Sequence, residues 1–213
     1  MSLTNLLIAI NVVAYVWEVT TGGALRDGRG LLIGERVIVD GEWWRLFTAA
    51  FLHGSLPHIG LNMLALYQVG NIVETLYGKV RFALLYALAI VGSGLAVVWF
   101  AYDQPTLGAS GAIYGLFGAL VAVGIRLGAR GRSLVGQVIP VIVINLVFTF
   151  AVPGISAAAH IGGLITGFLA GLVLFMVPSR QRAYAYSYVQ APQRDDAAPA
   201  PQREPETIEQ PPE

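Results

Sequence analysis

The 213-residue chain contains no cysteine. Disulfides, thiolate nucleophiles and cysteine-ligated zinc are excluded together. Charge is almost as scarce. Asp, Glu, Lys and Arg make up 12% of the residues, where a soluble domain carries about a quarter. The 13 basic and 13 acidic residues cancel, so no positive field argues for a nucleic acid partner. Histidine occurs only as His53, His58 and His160, which leaves three candidates for any imidazole chemistry. What remains is apolar. Hydrophobic residues account for 55% of the chain, and the mean hydropathy is +0.64. A soluble globular protein is thereby nearly excluded, and so is a wholly disordered one, which needs low hydrophobicity and high charge. The length suits one compact unit with no second large domain.

A bilayer core takes about 20 mostly apolar residues per helix. Six runs meet that need, at 3–19, 58–77, 82–102, 109–127, 134–152 and 157–177. They are continuous and lack the strict alternation of a membrane β-barrel. The first run has no Lys or Arg ahead of it, and no small-residue cleavage pattern follows. It reads as a retained helix and not as a secretory signal. The expected fold class is an all-α polytopic membrane protein, a six-helix bundle with a long, membrane-associated first loop. That loop spans 20–57, too long for a bare turn, and its Trp43 and Trp44 suit the headgroup region. The domain reading is a core at 1–178 followed by a Pro- and Glu-rich tail at 179–213, expected to be disordered and cytoplasmic.

Basic residues orient the spans. Lys79 and Arg81 flank the second loop, Arg126, Arg130 and Arg132 the fourth, and Arg180 and Arg182 follow the sixth run. The third and fifth loops carry none. Both termini are therefore predicted to be cytoplasmic. The first loop is outside by parity, although it holds Arg26, Arg29, Arg36 and Arg45 beside four acids.

Polar groups inside a span are costly and mark function by default. The second run opens with His58 and Asn62, the fourth with Gly108-Ala109-Ser110-Gly111 followed by Tyr114, and the sixth with Ala159-His160. All three runs enter from the same side, so these groups share one depth, about 5–10 Å below the outer surface at the helical rise. His58 and Asn62, four apart, share a helix face, as do Ser110 and Tyr114. Behind His160, Gly163, Gly167 and Gly171 form one stripe, and Gly111, Gly115 and Gly118 form another behind Ser110. Small-residue stripes let helix backbones approach closely. The fourth and sixth helices are therefore expected to pack together and to bring Ser110 to about 3 Å from His160, within reach of a base.

Taken together, these residues resemble the rhomboid intramembrane serine proteases over roughly 1–178. The GxSG pattern of that family stands at Gly108–Gly111, HxxxN at His58–Asn62 with the further histidine His53, and AHxxG at Ala159–Gly163. Its tryptophan-arginine pair is Trp44-Arg45 and its helix-end glutamate is Glu74. The resemblance implies a serine endopeptidase with Ser110 as nucleophile and His160 as base, without a catalytic aspartate, metal or cofactor. The oxyanion candidates are the Ser110 backbone N–H, His58 and Asn62. Gly108, Ala109, Tyr114 and His53 are expected to line the site. Gly111, Gly115, Gly163 and Gly167 serve helix packing, and Trp44, Arg45 and Glu74 are structural. The implied partner is a transmembrane segment of another membrane protein, met in the lipid bilayer of the cell membrane, with the site open to the extracytoplasmic side.

Ser110 alone would suit a helix N-cap, and His160 alone an interhelical hydrogen bond. An inactive relative would lack the serine or the histidine. A transporter would place its polar groups at the midplane, often with repeats. A cation site built from the three histidines is a further, weaker reading; the absence of an HExxH helix excludes a zinc intramembrane protease, and an aspartyl one lacks a GxGD partner for Asp103, which sits in a loop.

Overall fold

The computed structural model describes residues 1–23 and 28–176. The expected tail at 179–213, and the last two residues of the expected core, lie outside the described residues. Among those described, regular structure is helical apart from one isolated antiparallel bridge, Leu32 to Thr106.

Six long helices carry the architecture. They are α1 (Leu3–Thr21), α2 (Leu56–Ala65, Leu66–Gly70 and Asn71–Tyr77 in succession), α3 (Lys79–Phe100), α4 (Ser110–Arg126), α5 (Arg132–Ala151) and α6 (Ala157–Leu174). They match the six predicted runs with ends displaced by no more than three residues. The all-α polytopic bundle expected from the sequence is the fold observed. Helices α1, α3, α5 (with the turn Gly128–Gly131 before it) and α6 are long and apolar enough to cross a membrane alone. Helix α2 contains a π-turn at Leu66–Gly70, a local widening of the helix by one residue.

Helix α4 has 17 residues, of which 12 are buried. Its length of about 25 Å falls short of a ~30 Å hydrocarbon core. It needs no full lipid-facing span, because its neighbours enclose it. The outer helices have the reverse pattern. On α1 the buried residues are Thr4, Asn11 and Glu18, seven apart, while Val13, Val16 and Trp17 are exposed. On α5 only Leu134, Val138, Ile142 and Thr149 are buried. Apolar side chains thus cover the outside, the arrangement a bilayer solvates.

Two details hold the frame. The Glu74 carboxylate accepts from the backbone N–H of Leu3 (2.9 Å) and Thr4 (2.8 Å) and from the Thr4 hydroxyl (2.8 Å). It satisfies donors that a helix start leaves open. The Tyr77 hydroxyl donates between the carbonyls of Ala119 (3.1 Å) and Gly171 (3.2 Å), joining α2 to α4 and α6.

The first loop is packed, not free. It contains the short helices Gly34–Ile38 and Arg45–Thr48 and the 3-10 turn Ala49–Phe51. Leu32, Val37, Leu46 and Ala49 pack on Val97 and Val98 of α3 and on Ala159. The buried Arg45 guanidinium pairs with Glu42 and donates to the carbonyls of Gly28 and Leu31, 2.7 Å each. Trp44 beside it is largely exposed. Leu32 and Thr106 exchange two backbone bonds of 2.9 Å, and Gly108 N–H donates to Ala49 O at 2.8 Å. The segment that leads into Ser110 is thereby fastened to the first loop.

Candidate active site

Three helix beginnings set this site. Ser55 accepts from His58 N–H and starts α2, with Pro57 in its first turn. Ser156 accepts from Ala159 N–H and starts α6 four residues before His160. Helix α4 starts at Ser110 itself, after Gly108 and Ala109. Gly108 has φ +117°, and a Cβ there would stand 2.8 Å from His58 Nε2. Only glycine meets both demands. The N-cap of α4 is Ala109 and not Ser110, so the serine hydroxyl is not engaged as a cap.

That hydroxyl points at His160. Ser110 Oγ lies 2.8 Å from His160 Nε2. The His160 ring is buried and stacks on Tyr114, with centroids 4.1 Å apart and planes 15° from parallel. On the other side of the imidazole, Nδ1 lies 2.7 Å from Thr149 Oγ1. Thr149 Oγ1 is also 3.1 Å from the Tyr114 hydroxyl and 2.8 Å from the carbonyl of Asn145.

The approach of α4 to α6 explains how an α4 serine meets an α6 histidine. A Cβ on Gly163 would strike the carbonyl of Gly111, and one on Gly167 the carbonyl of Gly115. Here main chain touches main chain, and no side chain separates the two axes.

Ser110, His160, Tyr114, His58, Asn62 and Gly108 line one cavity of about 450 Å³. Asn62 donates from its amide to His58 O at 3.0 Å. His53 and Ala109 are not on the cavity wall. Ala109 is fully buried beneath it. His53 is fully buried behind His58, edge to face at 4.9 Å, with neither ring nitrogen hydrogen-bonded. Burial, then the neighbouring His58, push its pKa down to about 4. Both residues lie next to wall residues in sequence, and adjacency does not fix which way a side chain faces. Trp44, Arg45 and Glu74 lie away from the cavity.

The sequence reading passed over Asn145 and Thr149, which also line the cavity. A signal was present. They are polar, sit in the fifth apolar run and are four residues apart, on one helix face.

Chemically, a serine hydroxyl bonded to an imidazole in a part-buried cavity can supply a nucleophile for acyl transfer. Its own N–H belongs to the first turn of a helix, where donors lack intrahelical acceptors.

The family description "Rhomboid domain" matches residues 40–177. The chain is 40% identical over 176 residues to rhomboid protease GluP of Bacillus subtilis, covering 80% of this chain and 34% of that protein. It is 34% identical over 146 residues to RHOMBOID-like protein 4 of Arabidopsis thaliana, covering 68% of this chain and 37% of that protein. It is 34% identical over 149 residues to putative rhomboid protease YdcA of Bacillus subtilis, covering 69% and 74%. Against the first two of these relatives, the chain spans little more than a third of their length.

Proposed function

The chain belongs to the rhomboid family, and from that membership we propose that it is a serine endopeptidase that cleaves transmembrane segments of other membrane proteins. It is a multi-pass membrane protein. Ser110 attacks the scissile carbonyl while His160 Nε2 takes its proton, then returns it to the leaving amine. The oxyanion of the tetrahedral intermediate is held by the Ser110 backbone N–H together with the side chains of His58 and Asn62. Water then resolves the acyl-enzyme by the same route in reverse. No cofactor takes part.

The observation that carries this reading is the 2.8 Å Ser110–His160 bond inside a cavity, made by a serine that caps nothing. The flanking charges support an orientation. Lys79, Arg81, Arg126, Arg130 and Arg132 cluster at the loops opposite the cavity, so the site opens to the extracytoplasmic side and both termini are cytoplasmic. The substrate unwinds locally there, since an intact helix hides its carbonyls in its own hydrogen bonds.

The test is cleavage of a transmembrane substrate in liposomes by the wild type, Ser110→Ala and His160→Ala, with fluorophosphonate labelling alongside. The wild type cleaves and is labelled at Ser110, and both variants are inert. Cleavage by either variant at the wild-type rate refutes the assignment.

A further inference from the structure

We propose that Thr149 is a positioning residue for His160, and that its hydroxyl fixes the proton of His160 on Nδ1. The inference rests on the protease reading above and adds a third helix to the site.

It follows from counting protons. A threonine hydroxyl has one hydrogen and two lone pairs. Thr149 Oγ1 has three neighbours within hydrogen-bond distance: Asn145 O at 2.8 Å, His160 Nδ1 at 2.7 Å and Tyr114 Oη at 3.1 Å. The Asn145 carbonyl has no hydrogen and can only accept. The bond to it therefore takes the single threonine hydrogen. Both remaining contacts must then point toward Oγ1. Tyr114 donates its O–H, and His160 donates Nδ1–H. A neutral imidazole carries one N–H, so Nε2 is bare. Nε2 faces Ser110 Oγ at 2.8 Å, and the serine hydrogen completes the chain. Every hydrogen in the set has one acceptor, and both lone pairs of Thr149 Oγ1 are used.

The opposite tautomer breaks this pattern. With the proton on Nε2, the Thr149 hydrogen turns to Nδ1 and the Asn145 contact is lost. His160 then donates to Ser110, and the serine hydrogen loses its acceptor at the imidazole. That form has one bond fewer and leaves the serine hydrogen without this acceptor, in a buried place where unmade bonds are costly. It is also the form that cannot accept a proton from Ser110. Thr149 thus selects the tautomer that can act as a base. When His160 becomes doubly protonated during the reaction, Nδ1–H keeps the same acceptor, so nothing need reorganise on that side.

The placement is specific. Thr149 is the last of the four buried residues of α5, eleven residues before His160. Its one hydroxyl joins α5 to Tyr114 of α4 and His160 of α6. Tyr114 acts on the imidazole twice, by its stacked ring and through the donor it gives to Thr149.

The test uses full-length protein in liposomes and micelles. Thr149→Val keeps the shape and removes the hydroxyl. Thr149→Ser keeps the hydroxyl. The chain has three histidines, so selective ¹⁵N-histidine labelling gives a spectrum in which His160 is assigned by its loss in His160→Ala. The expected wild-type signature is Nδ1 protonated and Nε2 bare. Thr149→Val lowers kcat by about tenfold or more, less than the 10²–10⁴-fold worth of a general base because the base itself remains, with KM little changed and the Nδ1–H signature lost. Thr149→Ser restores both. A wild-type His160 protonated on Nε2, or a folded Thr149→Val with wild-type kcat and an unchanged His160 spectrum, overturns the proposal. If Thr149→Val does not fold, the wild-type and Thr149→Ser spectra decide alone. Failure of the protease reading is separate: the wild type would then neither cleave nor be labelled, and the spectrum would still decide the role of Thr149.

Discussion

Replacing Gly163 by alanine adds one methyl group at the tightest point beside the site. The new Cβ would strike the carbonyl oxygen and carbon of Gly111. Both are main-chain atoms of a helix, so no side chain can turn away. Ordinary contact requires a separation of about 3.5–4.0 Å between heavy atoms, which means α6 must move from α4 by about 1 Å or more. Gly111 follows Ser110 in the chain, and Gly163 lies one turn from His160, about 4.5 Å along the axis. The displacement is therefore felt almost undiminished at the Ser110–His160 bond. That bond is 2.8 Å, and a shift of 1 Å carries it past the ~3.2 Å reach of a general base. A misplacement of this size costs about 100-fold in rate. Overpacking adds about 1–3 kcal/mol of instability. Gly167→Ala makes a similar clash with Gly115, but about 10 Å from His160. It is expected to cost the same stability and less activity. Gly136, with nothing within 4 Å, is the control; alanine there adds helix propensity of about 1 kcal/mol at most. The assay is substrate cleavage in liposomes with thermal unfolding in micelles for all three variants. Wild-type rate and unfolding midpoint for Gly163→Ala would refute the reasoning, and equal activity losses at 163 and 167 would refute its spatial part.

Two further outcomes are expected. Glu74→Gln weakens the bonds to Leu3 and Thr4 and should lower stability by about 1 kcal/mol, in the range of a lost cap, read as a lower thermal midpoint with little change in the rate of cleavage. His53 has a folded pKa of about 4 against about 6.5 when unfolded. The unfolded chain binds the proton first as the pH falls. The stability that His53 contributes is thus complete above pH 6.5 and is lost progressively down to pH 4, by up to about 3 kcal/mol. His53→Phe should flatten the slope of thermal midpoint against pH across that window, and an unchanged slope contradicts it.

The six runs were legible because lipid imposes one strong demand, a length of apolar chain with its backbone bonds closed internally. The ends were less so. Helix α3 starts at Lys79 and not at residue 82, since hydropathy records where lipid begins, while a charged residue at the edge continues a helix readily. The π-turn at Leu66–Gly70 left no trace in the pattern, because its side chains are those of any apolar helix. The convergence of Ser110 with His160 was visible in spacing and glycine stripes. The burial of His53 behind His58 was not, because it depends on how the first loop folds back, through Arg45 and through the Leu32–Thr106 bridge. Nor was the contact of Thr149 with His160, which joins two helices across the turn at 152–156, a geometry no periodicity encodes.

The contact between α4 and α6 also bears on how such a sequence can drift. Where Gly111 meets Gly163 and Gly115 meets Gly167, the surface consists of peptide groups, which every residue type shares. No side chain is present to be exchanged for a similar one, and compensation by a partner is closed, because the partner has nothing to shrink. Substitution is therefore confined to the outer faces. There Val13 of α1, Ile144 of α5 and Val173 of α6 stand exposed, and any residue that lipid tolerates will serve. The chain is free to vary on its lipid-facing hydrophobic surface and fixed where one glycine backbone meets another.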